Sequence, residues 1–396
     1  MRVNYGMTVH GEAEIEAVIH VLRTSTQMSK HVAEFERRVA ALFGKKHGIM
    51  VNSGSSALIL AVETLKMPPG SEVITPALTF ATTVSSILRN GFVPAYVDAA
   101  PDTYNIDVER IEEMISENTR AMVIPNLIGN LPNWRAIRAL ADDYNLAVVE
   151  DSADTLGATI DSETTARFSN TSVTSFYGSH VINCAGNGGM LCTDDDEIAR
   201  SAKLLRSWGR SSSLFANSES VASRFDVELD GIPYDRKFVF EVVGHNFEPS
   251  EIGAAFGLVQ LDQLKRNIES RERNFERHTR FFERYENWFT IPKQLPGART
   301  GWLAYPIVIR PEAPFSRRDF QIALETADIQ TRTVFTGNIL RQPGFRNLPC
   351  KRAASGYPEA DRVMRGGVLL ACHHGLSDQQ MAYLHQTIEQ FLVDRV

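Results

Sequence analysis

From about residue 45 to residue 195, short apolar runs alternate with stretches whose apolar residues recur at helical spacing. The runs His47–Val51, Glu72–Thr75, Pro94–Val97, Ala121–Pro125, Ala147–Glu150, Ser172–Phe176 and Met190–Thr193 predict seven strands. Between them, Ser56–Leu65, Ala81–Leu88, Val108–Ile115 and Trp134–Tyr144 have the length and period of helices. Strands joined through helices of that length imply right-handed crossovers and a mostly parallel sheet. The strand runs are apolar throughout, as a sheet covered on both faces requires.

The pattern changes near Pro249. Glu251–Glu283 reads as one long helix, apolar on one stripe and rich in Arg and Glu on the other. Beyond it, Trp302–Ile309 and Thr331–Thr336 predict strands, and Arg318–Thr326 and Asp378–Leu392 predict helices. We expect an α/β chain with a large domain over residues 1–248, including an amino-terminal arm, and a smaller α+β domain over 249–396.

Composition narrows the function classes. With 396 residues, 43% of them hydrophobic, the chain can bury a large core. A formal charge of −7 argues against a nucleic-acid or anionic-membrane surface. No apolar run approaches the ~18 residues that span a bilayer. The first residues carry acids where a secretory signal needs an apolar stretch, so a cytoplasmic protein is expected. Cys184, Cys192, Cys350 and Cys372 match neither a paired-cysteine metal motif nor a disulfide framework, and no metal is expected.

In open sheets of this kind, ligands sit beyond the carboxyl ends of the strands. After the first strand, Asn52-Ser53-Gly54-Ser55-Ser56-Ala57 opens a helix. Small residues there let the backbone approach an anion, and the free amides of Gly54 and Ser55 favour a phosphate. The same residues also make an ordinary helix cap. After the second strand, Phe80 is an aromatic that can stack on a planar ring or fill the core. Asp151 lies at the tip of the fifth strand, where a carboxylate either caps a helix or keeps a pyridinium nitrogen protonated and makes its ring an electron sink. Ser175 can give a further hydroxyl to a phosphate, and His180 follows it in a turn.

Taken in order, these pieces resemble the DegT/DnrJ/EryC/StrS family of pyridoxal-phosphate enzymes, which act mostly on nucleotide-linked keto sugars. The family pattern of a Ser-Gly-Ser helix start, an aromatic, Glu-Asp at a strand tip, Ser-Phe-x-x-x-Lys, a Gly-rich loop and Gly-x-Asn is matched by Ser53–Ala57, Phe80, Glu150-Asp151, Ser175–His180, Gly186–Gly189 and Gly244-His245-Asn246. The resemblance covers essentially the whole chain. It implies the aspartate-aminotransferase fold (fold type I) and a homodimer.

One position departs from the pattern: His180 stands where the family has lysine. A lysine there binds the cofactor aldehyde covalently because it is a primary amine. Imidazole cannot form that link, but it can accept and return protons near neutral pH. The sugar 3-dehydratases of 3,6-dideoxyhexose biosynthesis make the same replacement. Asn126–Asn130, Asp154, Ser207-Trp208-Gly209-Arg210 and Arg332–Asn338 resemble segments of that subgroup. In its iron–sulfur members cysteines follow the Trp-Gly-Arg. Here Ser211, Ser212 and Ser213 follow it, so no iron–sulfur cluster is expected. Two further departures bear on substrate identity: Asn187 replaces an acid in the Gly-rich loop, and Phe247-Glu248 stands where many members are basic.

The resemblance implies the following roles. The cofactor is pyridoxamine 5′-phosphate, interconverting with pyridoxal 5′-phosphate. Asp151 pairs with the ring nitrogen, Phe80 covers a ring face, and Asp154 is part of the cofactor site. Gly54, Ser55, Ser175 and Asn246, the last from the neighbouring subunit, hold the phosphate. His180 is the base, Arg332 meets an anionic substrate group, and L-glutamate recharges the cofactor. The substrate is a nucleotide-linked 4-keto sugar. Two other readings remain: a keto-sugar aminotransferase with a natural or engineered Lys-to-His change, and a non-catalytic pyridoxal-phosphate-binding relative.

Overall fold

A computed structural model describes residues 1–215 and 220–395. Helices α1 (Glu12–Thr24) and α2 (Lys30–Leu42) lead into β1 (His47–Val51) and α3 (Gly54–Glu63). Then come β2 (Glu72–Pro76), α4 (Ala81–Arg89), β3 (Val93–Val97), β4 (Thr119–Pro125), α5 (Trp134–Asp143) and β5 (Ala147–Ser152). Strands β6 (Thr171–Ser175) and β7 (Gly189–Thr193) complete the run, followed by α6 (Asp196–Arg206).

These seven strands form one sheet in the order β1-β7-β6-β5-β4-β2-β3. β7 runs against both its neighbours, and the other pairs are parallel. A short strand, β10 (Lys351–Arg352), adds to the far edge parallel to β3. Both faces are covered. Leu58, Leu60 and Ala61 of α3 pack on Ile49, Val73 and Val123, and Trp134 and Ile137 of α5 pack on Ile74, Met122 and Val148.

Residues 251–282 are two helices, α7 (Glu251–Asp262) and α8 (Leu264–Phe282), joined at Gln263. The single long helix expected there breaks because the halves face different surroundings. α7 is buried nearly all round, whereas α8 buries one stripe. The second sheet consists of β8 (Phe289–Thr290), β9 (Tyr305–Ile309) and β11 (Gly367–Leu370), all antiparallel. α9 (Arg317–Thr326), α10 (Pro358–Gly366) and α11 (Asp378–Val393) complete it, around an aromatic core of Phe281, Phe282, Phe289, Phe315, Phe320 and Phe391. Val3 joins that core through hydrogen bonds with Asp328 and Gln330.

Three other expectations are corrected. Val108–Ile115 is two short 3-10 turns, because its two buried residues, Ile111 and Met114, are three apart, the spacing at which a 3-10 turn stacks side chains. Thr331–Thr336 contributes only a bridge from Arg332 to Leu369, since Phe335 and Gly337 have positive φ. Trp302–Leu303 stays outside β9 because its backbone bonds elsewhere: Arg271 takes both carbonyls and Ile128 the Leu303 amide. Among the described residues, no helix is long and apolar enough to cross a membrane.

Candidate active site

At the carboxyl ends of β1, β2, β4, β5 and β6 lies a cavity of about 350 Å³. Its wall includes Gly54, Ser55, Phe80, Asp151, Asp154, Ser175 and His180, so seven of the nine predicted site residues converge. The carboxyl ends of four strands, β1, β2, β5 and β6, and the turns after them deliver these residues, which is why residues far apart in sequence meet.

One part of the wall is the start of α3. The Ser53 hydroxyl caps the helix by accepting from the Ser56 amide at 3.1 Å. The amides of Gly54 and Ser55 precede the first intrahelical bonds. A Cβ on Gly54 would lie 2.6 Å from Cβ and 3.1 Å from Oγ of Ser175, so only glycine brings this helix end so close to that hydroxyl. Likewise, a Cβ on Gly189 would meet the Ser53 carbonyl oxygen at 2.2 Å.

Asp151 also lines the cavity and is 5% exposed. Its Oδ2 accepts from the Thr83 hydroxyl at 2.7 Å and its Oδ1 from the Ala153 amide at 3.1 Å. Burial pushes its carboxyl up to about 6 against these two hydrogen bonds. Asp154 accepts from the Ile128 amide at 2.8 Å, and burial pushes it up to about 7, with Asp151 adding to the rise. Among the described residues, no cation forms a salt bridge with either carboxylate. A buried acid without a counter-charge invites a positively charged partner from the cavity.

His180 is partly open to the cavity yet enclosed by protein. Its Nδ1 lies 3.1 Å from the Ser175 carbonyl oxygen. A carbonyl only accepts, so Nδ1 carries the proton and Nε2 is the basic atom. Burial holds the ring down to about 4, and the nearby Arg271 charge lowers it further. The imidazole is therefore neutral throughout the physiological range. Phe80, 49% exposed, offers an aromatic face, with Phe335 edge-on to it at 5.5 Å.

Two predicted residues lie off the wall. Arg332 is exposed, with its guanidinium 5.4 Å from the ring centre of Tyr5, which does line the cavity. Asn246 is exposed and bridges to Ser207, away from this cavity. Sequence reasoning missed Tyr5, Thr83, Tyr177, Leu303 and Phe335 as lining residues. Thr83 had a faint signal as a hydroxyl in the first turn after Phe80. Tyr5 had none, since its place depends on pairing between the first residues and 328–330.

His180 belongs to a wider set of buried imidazoles. His278, His373, His374 and His385 are, like it, held by burial at about 3 to 4. Each binds a proton more readily in the unfolded chain, so their contribution to stability is present above about pH 6.5 and is lost as pH falls towards 4. We expect the urea midpoint of the cofactor-free protein to drop steeply between pH 6.5 and 4, and a midpoint flat across that window would contradict this.

The profile of the DegT/DnrJ/EryC1/StrS aminotransferase family matches residues 9–389. The chain is 33% identical over 369 residues to dTDP-4-dehydro-2,6-dideoxy-D-glucose 3-dehydratase of Saccharopolyspora spinosa, covering 90% of this chain and 79% of that protein. It is 31% identical over 368 residues to the lipopolysaccharide biosynthesis protein RfbH of Salmonella typhimurium, covering 90% and 84%. Two solved structures of GDP-4-keto-6-deoxymannose 3-dehydratase superpose with TM-scores of 0.87 and 0.86 at 25% identity. They cover 97% and 98% of this chain and 100% of theirs; one holds GDP-perosamine and the other, from E. coli, hydrated pyridoxal phosphate. The chain belongs to the DegT/DnrJ/EryC1/StrS aminotransferase family, with the fold of type I pyridoxal-phosphate enzymes. It is one of the family's sugar-modifying enzymes, and its cofactor is pyridoxal phosphate or the amine form, pyridoxamine phosphate.

The residues present fit that group. The helix end at Gly54 and Ser55, with the Ser175 hydroxyl against it, suits the phosphate. The unpaired buried carboxylate of Asp151 suits a protonated ring nitrogen. No lysine is among the described residues lining the cavity.

Proposed function

We propose that this chain is a pyridoxamine-phosphate-dependent 3-dehydratase of nucleotide-linked 4-keto-6-deoxyhexoses. The observation that carries the proposal is the neutral imidazole of His180 on a cavity wall that also holds Asp151 and no lysine. Bound pyridoxamine phosphate supplies an amine that condenses with a ketone and a ring that accepts electrons.

The protein's own groups do the rest. Asp151 holds the ring nitrogen, Phe80 covers a face, and Asp154 lines the same end. Gly54 and Ser55 amides, the Ser175 hydroxyl and Asn246 of the partner subunit hold the phosphate. Nε2 of His180 would accept a proton from the carbon bearing the cofactor's amine as the sugar's C3–O bond breaks, and would return that proton to the departing hydroxyl, which leaves as water. A positioned base of this kind is worth about 10²–10⁴-fold. Overall the sugar loses one oxygen atom and ammonia is released. The two electrons come from the cofactor amine, which L-glutamate restores by becoming a keto acid. Arg332 meets an anionic group of the substrate.

A homodimer is part of the proposal. Phe225, Ile232, Phe238, Phe240 and the 96% exposed Val243 present apolar side chains to solvent just before Asn246. A second copy seated there would cover them. With no covalent tether, phosphate contacts set cofactor affinity. Gly54→Ala must push the helix end from Ser175 at a cost of about 1–3 kcal/mol. We expect pyridoxamine phosphate to bind about 5- to 150-fold more weakly by fluorescence titration; unchanged affinity would remove the phosphate from this position.

The test is incubation with pyridoxamine phosphate, L-glutamate and GDP-, CDP-, UDP- and dTDP-linked 4-keto-6-deoxy sugars, followed by mass analysis. The proposal expects a product lighter by one oxygen. A nitrogen-bearing sugar would identify an aminotransferase, and binding of cofactor with no turnover of any sugar would identify a non-catalytic protein.

A further inference from the structure

Arg271 of α8 is fully buried, yet among the described residues it forms a salt bridge with no carboxylate. A buried charge without a counter-ion is costly, and it persists only where its donors are used. Here all three nitrogens bond. Nε donates to Nδ1 of His374 at 3.2 Å, and Nη1 donates to the carbonyls of Trp302 at 2.9 Å and Leu303 at 3.2 Å. Nη2 donates to the carbonyls of Ser179 at 3.2 Å and His180 at 3.0 Å. Arginine's rigid fork can serve several carbonyls at once; a lysine ammonium has three donors on one atom.

The acceptors are segments of the cavity wall. Ser179 and His180 belong to the turn that carries the imidazole, and Leu303 lines the cavity. The web continues: the Leu303 amide bonds to the Ile128 carbonyl at 2.9 Å, and the Ile128 amide bonds to Asp154 at 2.8 Å. One guanidinium thus ties the wall bearing the base to the wall bearing an acid.

We propose that Arg271 is a positioning residue of the active site: its fork, set on the carbonyls of Ser179 and His180, fixes where the imidazole stands. Its charge has a second effect. The groups sharing the cavity with His180 are Tyr177 on its own turn, Tyr5 from the amino-terminal segment, and Asp151 and Asp154 from the tip of β5. The Arg271 charge acts on the ring from behind and favours its unprotonated form. The proposal rests on His180 being the base of the reaction proposed above.

The test separates geometry from charge, and both from folding. Histidine carrying carbon-13 at Cε1 is incorporated into the cofactor-free protein, with His180 assigned through His180→Asn. Arg271→Lys keeps a charge but loses the fork, so the His180 signal should move while its titration midpoint stays. Arg271→Gln loses both, so the midpoint should rise by about one unit. With pyridoxamine phosphate, L-glutamate and GDP-4-keto-6-deoxymannose, turnover should fall about 10²-fold in either variant while cofactor affinity holds. A wild-type protein that does not deoxygenate this sugar would count against the proposed reaction, and the resonance data would still decide the role of Arg271. An unmoved His180 signal and midpoint in Arg271→Gln would overturn the proposal. If only Arg271→Lys folds, an unmoved signal there overturns it. If neither variant folds, Arg271 is a staple of the fold and the proposal falls.

Discussion

Replacing His180 with lysine should convert a protein that holds its cofactor reversibly into one that holds it covalently, and should abolish dehydration. The backbone supports this directly. The turn from Tyr177 to His180 is fixed by its own hydrogen bond and by Arg271, so a lysine at 180 would project from the same wall. A lysine supplies the primary amine that imidazole lacks. We expect a new visible absorbance band with pyridoxal phosphate that survives gel filtration, and a loss of deoxygenation of at least about 10²-fold. Undiminished deoxygenation in His180→Lys would exclude His180 as the base.

The second large effect is expected at Asp151. Asparagine keeps the shape and can still accept from Thr83, but it carries no charge to hold a ring nitrogen protonated. Loss of a preorganised electrostatic partner costs about 10²–10³-fold in turnover, and we expect Asp151→Asn to lose that much. The pH dependence follows from the same group. In the cofactor-free protein the carboxyl sits at about 6, raised by burial. Above that pH it is charged and, on the proposed function, would pair with the cofactor; below it, protonation would remove the pairing. Cofactor affinity of the wild type should weaken as pH falls through about 6, beyond the change from the phosphate's own ionisation, which both proteins share. Asp151→Asn should lack that extra step. Equal pH dependence in the two proteins would place the ring nitrogen elsewhere.

Much of this site was legible because its parts sit at or just beyond the carboxyl ends of strands. Gly54 and Phe80 follow β1 and β2 closely, and Asp151 and Ser175 stand in the last residues of β5 and β6, so finding the strand placed the residue. Most of the buried strands announce themselves by apolar runs, although β6 (Thr-Ser-Val-Thr-Ser) does not, and all seven stand within a few residues of their predicted bounds. Where local pattern and tertiary demand diverge, reading fails. Leu303 looks like strand, yet Arg271 and Ile128 take its backbone. Arg271 looks like one more charge on an amphipathic helix, and nothing local says it is buried. Tyr5 reaches the cavity because Val3 pairs with residues some 325 positions away. Arg332 lies over Tyr5, a contact that no motif encodes.

The absent tether has a consequence for how the site works. Under the proposed function the cofactor is held without a covalent link to the protein, so noncovalent contacts alone set its affinity. The cavity wall offers a helix end, a hydroxyl and a buried acid for that purpose. The imidazole, held near 4 by burial, is unprotonated at neutral pH.

A crystal structure with pyridoxamine phosphate bound tests the central claim most directly. It should show Nε2 of His180 within about 3.2 Å, or one water, of the carbon bearing the cofactor's amine. It should also show electron density continuous with no side chain. A ring turned away from that carbon, or a covalent bond from the cofactor to any lysine, would contradict the account.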